Sequence, residues 1–149
     1  NEILDNVISN DNYKNKIIFD GYPRNITQAK NLSENLKKKK LEIGSIIYLD
    51  VSKDLIEQRI LSRVVCEKCY KTFSESINSQ EIKKHNCGQK YLKKREDDNK
   101  GIILKRLNTY INETKPVLEF YSKQANFFKI DASGKIPEIT SKIEEIVKV

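Results

Sequence analysis

The residues best suited to chemistry follow a short apolar run near the start of the chain. Ile17-Ile18-Phe19 consists of β-forming residues, and Asp20-Gly21-Tyr22-Pro23-Arg24 comes directly after it. This order is typical of the carboxyl end of a buried parallel strand, the edge where open α/β sheets bind ligands. Gly21 permits a sharp turn, and Arg24 carries a planar fork that can hold a phosphate group through two hydrogen bonds. Asp20 is placed to hold the water around a magnesium ion. An ordinary strand-to-loop exit with a surface arginine is the alternative for these five residues alone.

A second candidate is a pair of arginines, Arg59 and Arg63, in a segment whose apolar pattern predicts a helix. Residues four apart share one helix face, where two like charges repel by a few tenths of a kcal/mol. The positions that could neutralise them from the N-terminal side of the helix hold apolar residues. The pair therefore predicts an anion site, with a carboxylate from elsewhere in the fold as the alternative.

A third candidate is the charge cluster Lys94-Arg95-Glu96-Asp97-Asp98, with Arg106 eleven residues after Arg95. Acidic residues at the start of a helix complement the helix dipole. Taken alone, the cluster is best explained as a solvated helix start.

A fourth candidate combines Cys66 and Cys69, spaced as Cys-x-x-Cys, with Cys87 and the single histidine, His85. Thiolate and imidazole are the ligands that suit tetrahedral zinc. An odd number of cysteines argues against a complete disulfide framework, and the Cys-x-x-Cys spacing in an intracellular chain favours metal. Two possibilities stay open: the four side chains hold a structural zinc ion, or packing and hydrogen bonds hold the segment and the cysteines are reduced.

Helices and strands alternate around these residues, which predicts an α/β fold. Strands are predicted over residues 17–19, 46–51 and 127–130, and helices over 2–9, 27–40 and 52–63, over a long segment that opens at Asp97 and Asp98, and at the C-terminus. Ser52 is predicted to cap its helix, and Pro116 to interrupt or restart the long one. Between residues 64 and 94 helical periodicity fades and the cysteines appear, so we expect a small inserted domain there. The resulting division is core over 1–63, insert over 64–95 and core over 96–149.

The chain resembles the adenylate kinase family through an ordered series of motifs. In that family a strand ending in Asp-Gly-aromatic-Pro-Arg is followed by three residues and then Gln or Asn, and Gln28 stands at that position. Arg95-Glu96-Asp97-Asp98 and Arg106-Leu107 are similar to the segment that closes the family's mobile lid and to the start of the next helix. The cysteine-bearing insert is similar to a long lid, although Lys84 and His85 depart from the family's second Cys-x-x-Cys pair.

The resemblance implies a P-loop-kinase-like, three-layer parallel sheet with an inserted lid, and reversible phosphoryl transfer from MgATP to AMP giving two ADP. It implies these roles: AMP binding by Gly21, Tyr22, Arg24, Gln28, Arg95 and Arg106; ATP binding by Arg59, Arg63 and Lys135; water-mediated magnesium binding by Asp20; catalysis by Arg24, Arg63, Arg95, Arg106, Asp97 and Asp98; and zinc binding in the lid by Cys66, Cys69, His85 and Cys87.

One motif of the family is missing from these 149 residues. The sequence contains no Gly-x-x-x-x-Gly-Lys-[Ser/Thr] loop, the standard triphosphate cradle, and its first residue is Asn1. We therefore expect an N-terminally truncated fragment that lacks the first strands of the sheet, including the one that the resemblance places between residues 17–19 and 46–51. Such a fragment is expected to be inactive or nearly so and to fold poorly alone.

The formal net charge of +7 fits anionic partners. A basic zinc-ribbon module that binds nucleic acid is the competing hypothesis, but no aromatic residues are interleaved with the basic ones as base stacking would need. We expect ATP, AMP and ADP as partners, and neither nucleic acid nor membrane. The absence of a long apolar run and of a signal-peptide pattern predicts a cytoplasmic protein. A monomer is expected by family analogy alone.

Overall fold

The computed structural model of the chain describes residues 2–13 and 16–147, without the side chains of residues 2, 3 and 11. Its helices are α1 Glu2–Ile8, α2 Ile26–Lys38, α3 Lys53–Leu61, α4 Ser79–Lys83, α5 Lys100–Thr109, α6 Lys115–Tyr121 and α7 Ile136–Val147. Its strands are β1 Ile46–Asp50, β2 Arg63–Cys66, β3 Thr72–Ser74, β4 Leu92–Lys93 and β5 Phe127–Asp131. The predicted α/β class is confirmed.

Strands β1 and β5 form a parallel two-stranded sheet. The Ile46 N–H donates to the Asn126 carbonyl at one end (2.9 Å), and the Ala132 N–H donates to the Asp50 carbonyl at the other (2.9 Å). Because the bonded positions advance together along both strands, the strands run in the same direction. The parallel sheet is therefore confirmed.

The chain divides into two compact units, and the first contains Asn1–Leu49, Thr109–Ile130 and Ile136–Val149. Its core is built on α2, where Ala29, Leu32 and Leu36 are buried, as their helical spacing predicts. Ala29 packs with Val117 and Tyr121 of α6, and the two leucines pack against α1. This packing fixes the start of α2. Residues 20–24 form the turn that leads directly into this helix, and we call them the 20–24 turn.

The predicted strand over residues 17–19 is wrong. Residues 16–19 have no regular secondary structure, and Ile18 is 91% exposed while Ile17 and Phe19 pack against the core. A strand exists only through its ladder hydrogen bonds, and in the described part of the chain β1 and β5 pair with each other alone. The segment therefore buries one side instead of the two sides of a central strand.

The second unit contains Asp50–Asn108 and Asp131–Lys135. Ser52 caps α3 as predicted, since its hydroxyl accepts a hydrogen bond from the Leu55 N–H (3.3 Å). The helix ends at Leu61, however, and Arg63 begins β2. The prediction that Arg59 and Arg63 share a helix face is therefore wrong, because the β-branched Val64 and Val65 that follow favour a strand.

The insert is organised around a small antiparallel sheet in the order β3-β2-β4. Val64 lies opposite Phe73, and Cys66 lies opposite Leu92. Val64, Cys66 and Phe73 are buried and form the apolar side of this sheet.

Pro116 lies in the first turn of α6, and a π-helical turn, Tyr110–Thr114, separates α6 from α5. The prediction that Pro116 restarts the helix is confirmed, and α5 begins at Lys100 instead of at the two aspartates. Among the described helices, none combines the length and the apolar character needed to cross a membrane.

Candidate functional site

The 20–24 turn is held by a closed set of hydrogen bonds. Gly21 has a φ of +69°, a left-handed conformation that glycine adopts without strain. Its carbonyl accepts from Arg24 Nε (2.7 Å), and a Cβ at this position would lie 2.9 Å from Arg24 Nη2. Gly21 thus determines both the turn and the position of the arginine side chain.

Gln28 is tied to the same arginine. Its Oε1 accepts a hydrogen bond from the Arg24 N–H (2.7 Å), and its own N–H donates to Asn25 Oδ1, which caps α2 (2.9 Å). The Tyr22 hydroxyl lies 3.4 Å from the Gln28 carbonyl. The structure therefore ties the Gln28 side-chain amide to the backbone of Arg24, the residue whose guanidinium the sequence proposed for the AMP phosphate.

Thr114 is a contact residue that the sequence did not single out as part of the site. Its hydroxyl donates to the Arg24 carbonyl (2.9 Å). The segment Thr114-Lys115-Pro116 continues the family resemblance, but no local pattern could reveal this contact, because it joins positions ninety residues apart.

In the second unit, Arg95 and Arg106 share one carboxylate. Arg95 donates to both oxygens of Asp97 (3.0 Å each), and Arg106 Nη2 donates to Oδ2 (2.7 Å). Both arginine side chains are about half exposed, so both guanidinium groups are accessible to a ligand. A single carboxylate thus holds side by side two of the arginines proposed to bind phosphate.

Asp97 gives this cluster a defined pH dependence. The hydrogen bond from Arg106 lowers the pKa of Asp97, burial opposes the shift, and Arg95 adds to it. Because the pKa is lower in the folded chain, the ionised carboxylate stabilises the fold above the ordinary aspartate pKa of about 3.9, and this contribution is lost as the pH falls.

We therefore expect Asp97→Asn to reduce the free energy of unfolding at pH 6, and the difference from wild type to shrink below about pH 4. Denaturant titrations at a series of pH values would measure it. Asp54→Asn, an exposed aspartate of the same unit, is the control. A difference between wild type and Asp97→Asn that stays constant down to pH 3 would contradict the assignment.

Arg63 and Asp98 form a second ion pair. Arg63 Nε donates to Asp98 Oδ2 (2.8 Å) and Nη2 donates to Oδ1, so the pair is bidentate. The Asp98 side chain is 1% exposed, and its hydrogen bond to Arg63 is the main reason why the pKa of the guanidinium is raised. The carboxylate that the sequence offered as an alternative partner for the arginine pair is therefore present for Arg63.

Arg59 contacts the loop that carries Lys135. Its Nη2 donates to the Ser133 carbonyl (3.2 Å), while its buried Nε has no hydrogen-bond partner among the described residues. The structure thus places Arg59 against the loop of Lys135, and both residues are proposed to bind ATP. Lys135 is itself exposed, as is the carboxylate-bearing residue Asp20.

The four proposed metal ligands converge. The thiol groups of Cys66, Cys69 and Cys87 and a ring nitrogen of His85 all lie within 4.8 Å of one another. Tetrahedral zinc with Zn–S bonds of about 2.3 Å separates its ligands by about 3.8 Å, so small movements would complete a site. The Phe73 and His85 rings pack in a T-shaped arrangement with 4.9 Å between centroids, and this contact restricts the orientation of the imidazole. The donor set and its geometry fit zinc.

Two tight turns present these ligands. The Tyr70 N–H donates to the Cys66 carbonyl (2.8 Å), and the Gly88 N–H donates to the His85 carbonyl (3.0 Å). Gly88 has a φ of +85°, which again suits glycine. Each turn places two of the four ligands on one side of the chain.

The cluster stabilises a thiolate. Burial raises the pKa of Cys66, but hydrogen bonds from His85 and from the backbone N–H groups of Cys69 and Lys68 outweigh it and lower the pKa to about 6. Burial, together with the neighbouring thiols of Cys69 and Cys66, raises the pKa of Cys87. A stabilised thiolate is the form of cysteine that binds metal.

Comparison with known proteins matches the chain to one family. A family model described as adenylate kinase matches residues 1–126. The adenylate kinase of Pelagibacter ubique (strain HTCC1062) is 51% identical over 149 residues, which is all of this chain and 70% of that protein. The adenylate kinases of Rickettsia africae (strain ESF-5) and Rickettsia prowazekii (strain Madrid E) are 37% and 35% identical over 155 residues, covering all of this chain and 69% and 71% of theirs.

The match therefore agrees with the resemblance that the 20–24 turn and the arginine series indicated. The family carries out phosphoryl transfer between nucleotides. The chain belongs to the adenylate kinase family of nucleoside monophosphate kinases.

Proposed function

We propose that this chain takes part in reversible phosphoryl transfer from MgATP to AMP, giving two ADP, and that the 20–24 turn with Gln28 is its AMP site. The supporting observation is the hydrogen bond between Gln28 Oε1 and the Arg24 N–H (2.7 Å). This bond holds the Gln28 side chain against the backbone of the residue that carries the guanidinium, and it therefore supports assigning both side chains to one nucleotide.

The chemistry of each group fits this role. Arg24 uses Nε on the Gly21 carbonyl, which leaves the other guanidinium N–H groups to bind phosphate. Gln28 uses one lone pair of Oε1 on the backbone, which leaves its amide N–H groups to donate to an acceptor on a base edge. An adenine offers such an acceptor beside an amino group.

Four arginines, including Arg24, suit the charge that phosphoryl transfer develops. The transition state spreads negative charge over the equatorial oxygens, so catalysis is mainly positioning and charge stabilisation. We assign Arg95 and Arg106 to the transferred and AMP phosphates, with Asp97 orienting them. We assign Arg63, oriented by Asp98, to the ATP phosphates, Arg59 and the loop of Lys135 to the ATP base, and Asp20 to the water around magnesium.

The metal cluster is assigned a structural role. Cys66, Cys69, His85 and Cys87 would hold zinc, which would supply cross-links that a small segment with few buried residues lacks. Hydrogen bonds and packing alone are the alternative. A cytoplasmic, monomeric protein is the setting that we propose for this activity.

The nucleic-acid-binding alternative gains no support from the comparisons, which match enzymes of nucleotide phosphotransfer. The cysteine and histidine cluster and the 20–24 turn both lie within the residues that the family model matches. A nucleic-acid-binding module would not explain the 20–24 turn.

The test is a titration of the chain with AMP in which binding is monitored by NMR. We expect Arg24→Ala to raise the AMP dissociation constant by about 30- to 150-fold, since charge-assisted hydrogen bonds are worth about 2–3 kcal/mol. Lys30→Ala removes one positive charge from an exposed position on α2, the helix that follows the turn, and is expected to bind AMP normally.

Two results would contradict the proposal: equal effects of the two substitutions, or tighter binding of a single-stranded oligonucleotide than of AMP. The same preparation is expected to form no ADP from ATP and AMP, because the 149 residues contain no triphosphate-cradle motif. Robust turnover would refute that expectation.

A further inference from the structure

The helix that follows the lid segment changes its winding next to the 20–24 turn. The Lys115 N–H donates to the Tyr110 carbonyl five residues back, which makes Tyr110–Thr114 a π-helical turn. Pro116 explains this turn, because its ring would clash with the carbonyl four residues earlier in a regular α-helix. Single π turns are rare and are frequent at functional sites. The widened turn changes the position of the threonine at its end.

Thr114 bonds outside its own helix. A threonine in a helix commonly donates its hydroxyl proton to the carbonyl four residues back, and Thr140 in α7 does so with the Ile136 carbonyl (2.9 Å). Thr114 is half-buried and donates instead to the Arg24 carbonyl (2.9 Å). The hydroxyl is thus committed to a single partner, the proposed phosphate-binding residue.

Both backbone polar groups of Arg24 are therefore held by side chains. Gln28 Oε1 accepts from its N–H, and Thr114 donates to its carbonyl. That carbonyl belongs to the peptide plane shared with Asn25, the residue that caps α2. Rotation of this plane would change ψ of Arg24 and φ of Asn25, and with them the placement of Arg24 relative to the cap; the Thr114 hydroxyl opposes that rotation.

We propose that Thr114 is a positioning residue for the AMP phosphate. Its hydroxyl fixes the peptide plane between Arg24 and Asn25 and thereby keeps the guanidinium and the Gln28 amide in the relative positions that AMP binding requires. The proposal rests on the function assigned above to the 20–24 turn. Thr114 itself touches no substrate in this scheme, and it acts through Arg24.

Three variants of the chain test it. Thr114→Val keeps the shape and removes the hydroxyl, so we expect the AMP dissociation constant to rise about fivefold, the equivalent of one hydrogen bond. Thr114→Ser keeps the donor and should restore AMP binding to within about twofold of wild type. Thr140→Val makes the same chemical change in α7 and should leave AMP binding unchanged.

Amide hydrogen exchange at Arg24 provides a readout that needs no nucleotide. Protection of this amide should fall in Thr114→Val and recover in Thr114→Ser, at equal free energy of global unfolding. Unchanged protection in Thr114→Val would overturn the positioning role, as would AMP binding equal to wild type. Failure of the wild-type chain to bind AMP would instead overturn the function proposed for the turn, and with it the substrate role of the contact.

Discussion

Replacing Cys66 with serine is expected to abolish the zinc binding proposed for Cys66, Cys69, His85 and Cys87 and to unfold the small sheet of β2, β3 and β4. Cys66 is fully buried and is one of four donor atoms that lie within 4.8 Å of one another. A structural zinc ion contributes on the order of 10 kcal/mol to the folding of small zinc modules at neutral pH. Few other side chains are buried in this sheet, so the loss cannot be compensated by packing.

The measurement is zinc content together with the NMR signals of Val64 and Phe73. The wild-type chain should carry about one zinc ion and the variant none, and a strong chelator should have the same effect on wild type as the substitution. Glu67→Ser, an exposed position next to the same cysteine, is the control. If the wild-type chain kept the folded NMR signals of Val64 and Phe73 without metal, this result would favour the alternative of an insert held by hydrogen bonds and packing.

Replacing Asp98 with alanine is expected to lower the free energy of unfolding of the second unit by about 3–5 kcal/mol. The Asp98 carboxylate is almost completely buried and forms both of its hydrogen bonds with Arg63. Its removal would leave a partly buried guanidinium without its counter-ion, and that uncompensated charge is the main cost. Asp98→Asn keeps an acceptor and should lose less.

Chemical denaturation, monitored by a probe in the insert, measures this loss. Glu96→Ala removes an exposed carboxylate two residues away and should change stability by less than about 0.5 kcal/mol. If the two alanine variants were equally stable, Asp98 would be no more than a surface charge. A loss confined to the first unit would equally contradict the role given to the pair.

The sequence was most informative where local patterns determine structure. The spacing of Ala29, Leu32 and Leu36 predicts α2, and Ser52 predicts the start of α3, because both signals lie within a few turns of one helix. Cys66, Cys69, His85 and Cys87 could be grouped from their chemistry alone, since few residue types bind zinc. Their convergence in the structure follows that grouping.

The sequence was least informative where partners are distant. The run at residues 17–19 has strand-forming residues, but a strand also needs a neighbour, and sequence patterns do not show which neighbours are present. Arg59 and Arg63 were assigned to one helix because the helical pattern does not show that the chain turns at Ser62. The Thr114 contact with Arg24 depends on a π turn and on tertiary packing, which no local pattern encodes.

Gly21 restricts the evolutionary paths open to this turn. Any side chain there would face a left-handed backbone and would also meet the Arg24 guanidinium 2.9 Å from its Cβ. A mutation at this one position would therefore change the path of the chain and displace the proposed phosphate-binding group in the same step. The residue without a side chain thus constrains this turn twice, through its backbone conformation and through the space that the Arg24 guanidinium occupies beside it.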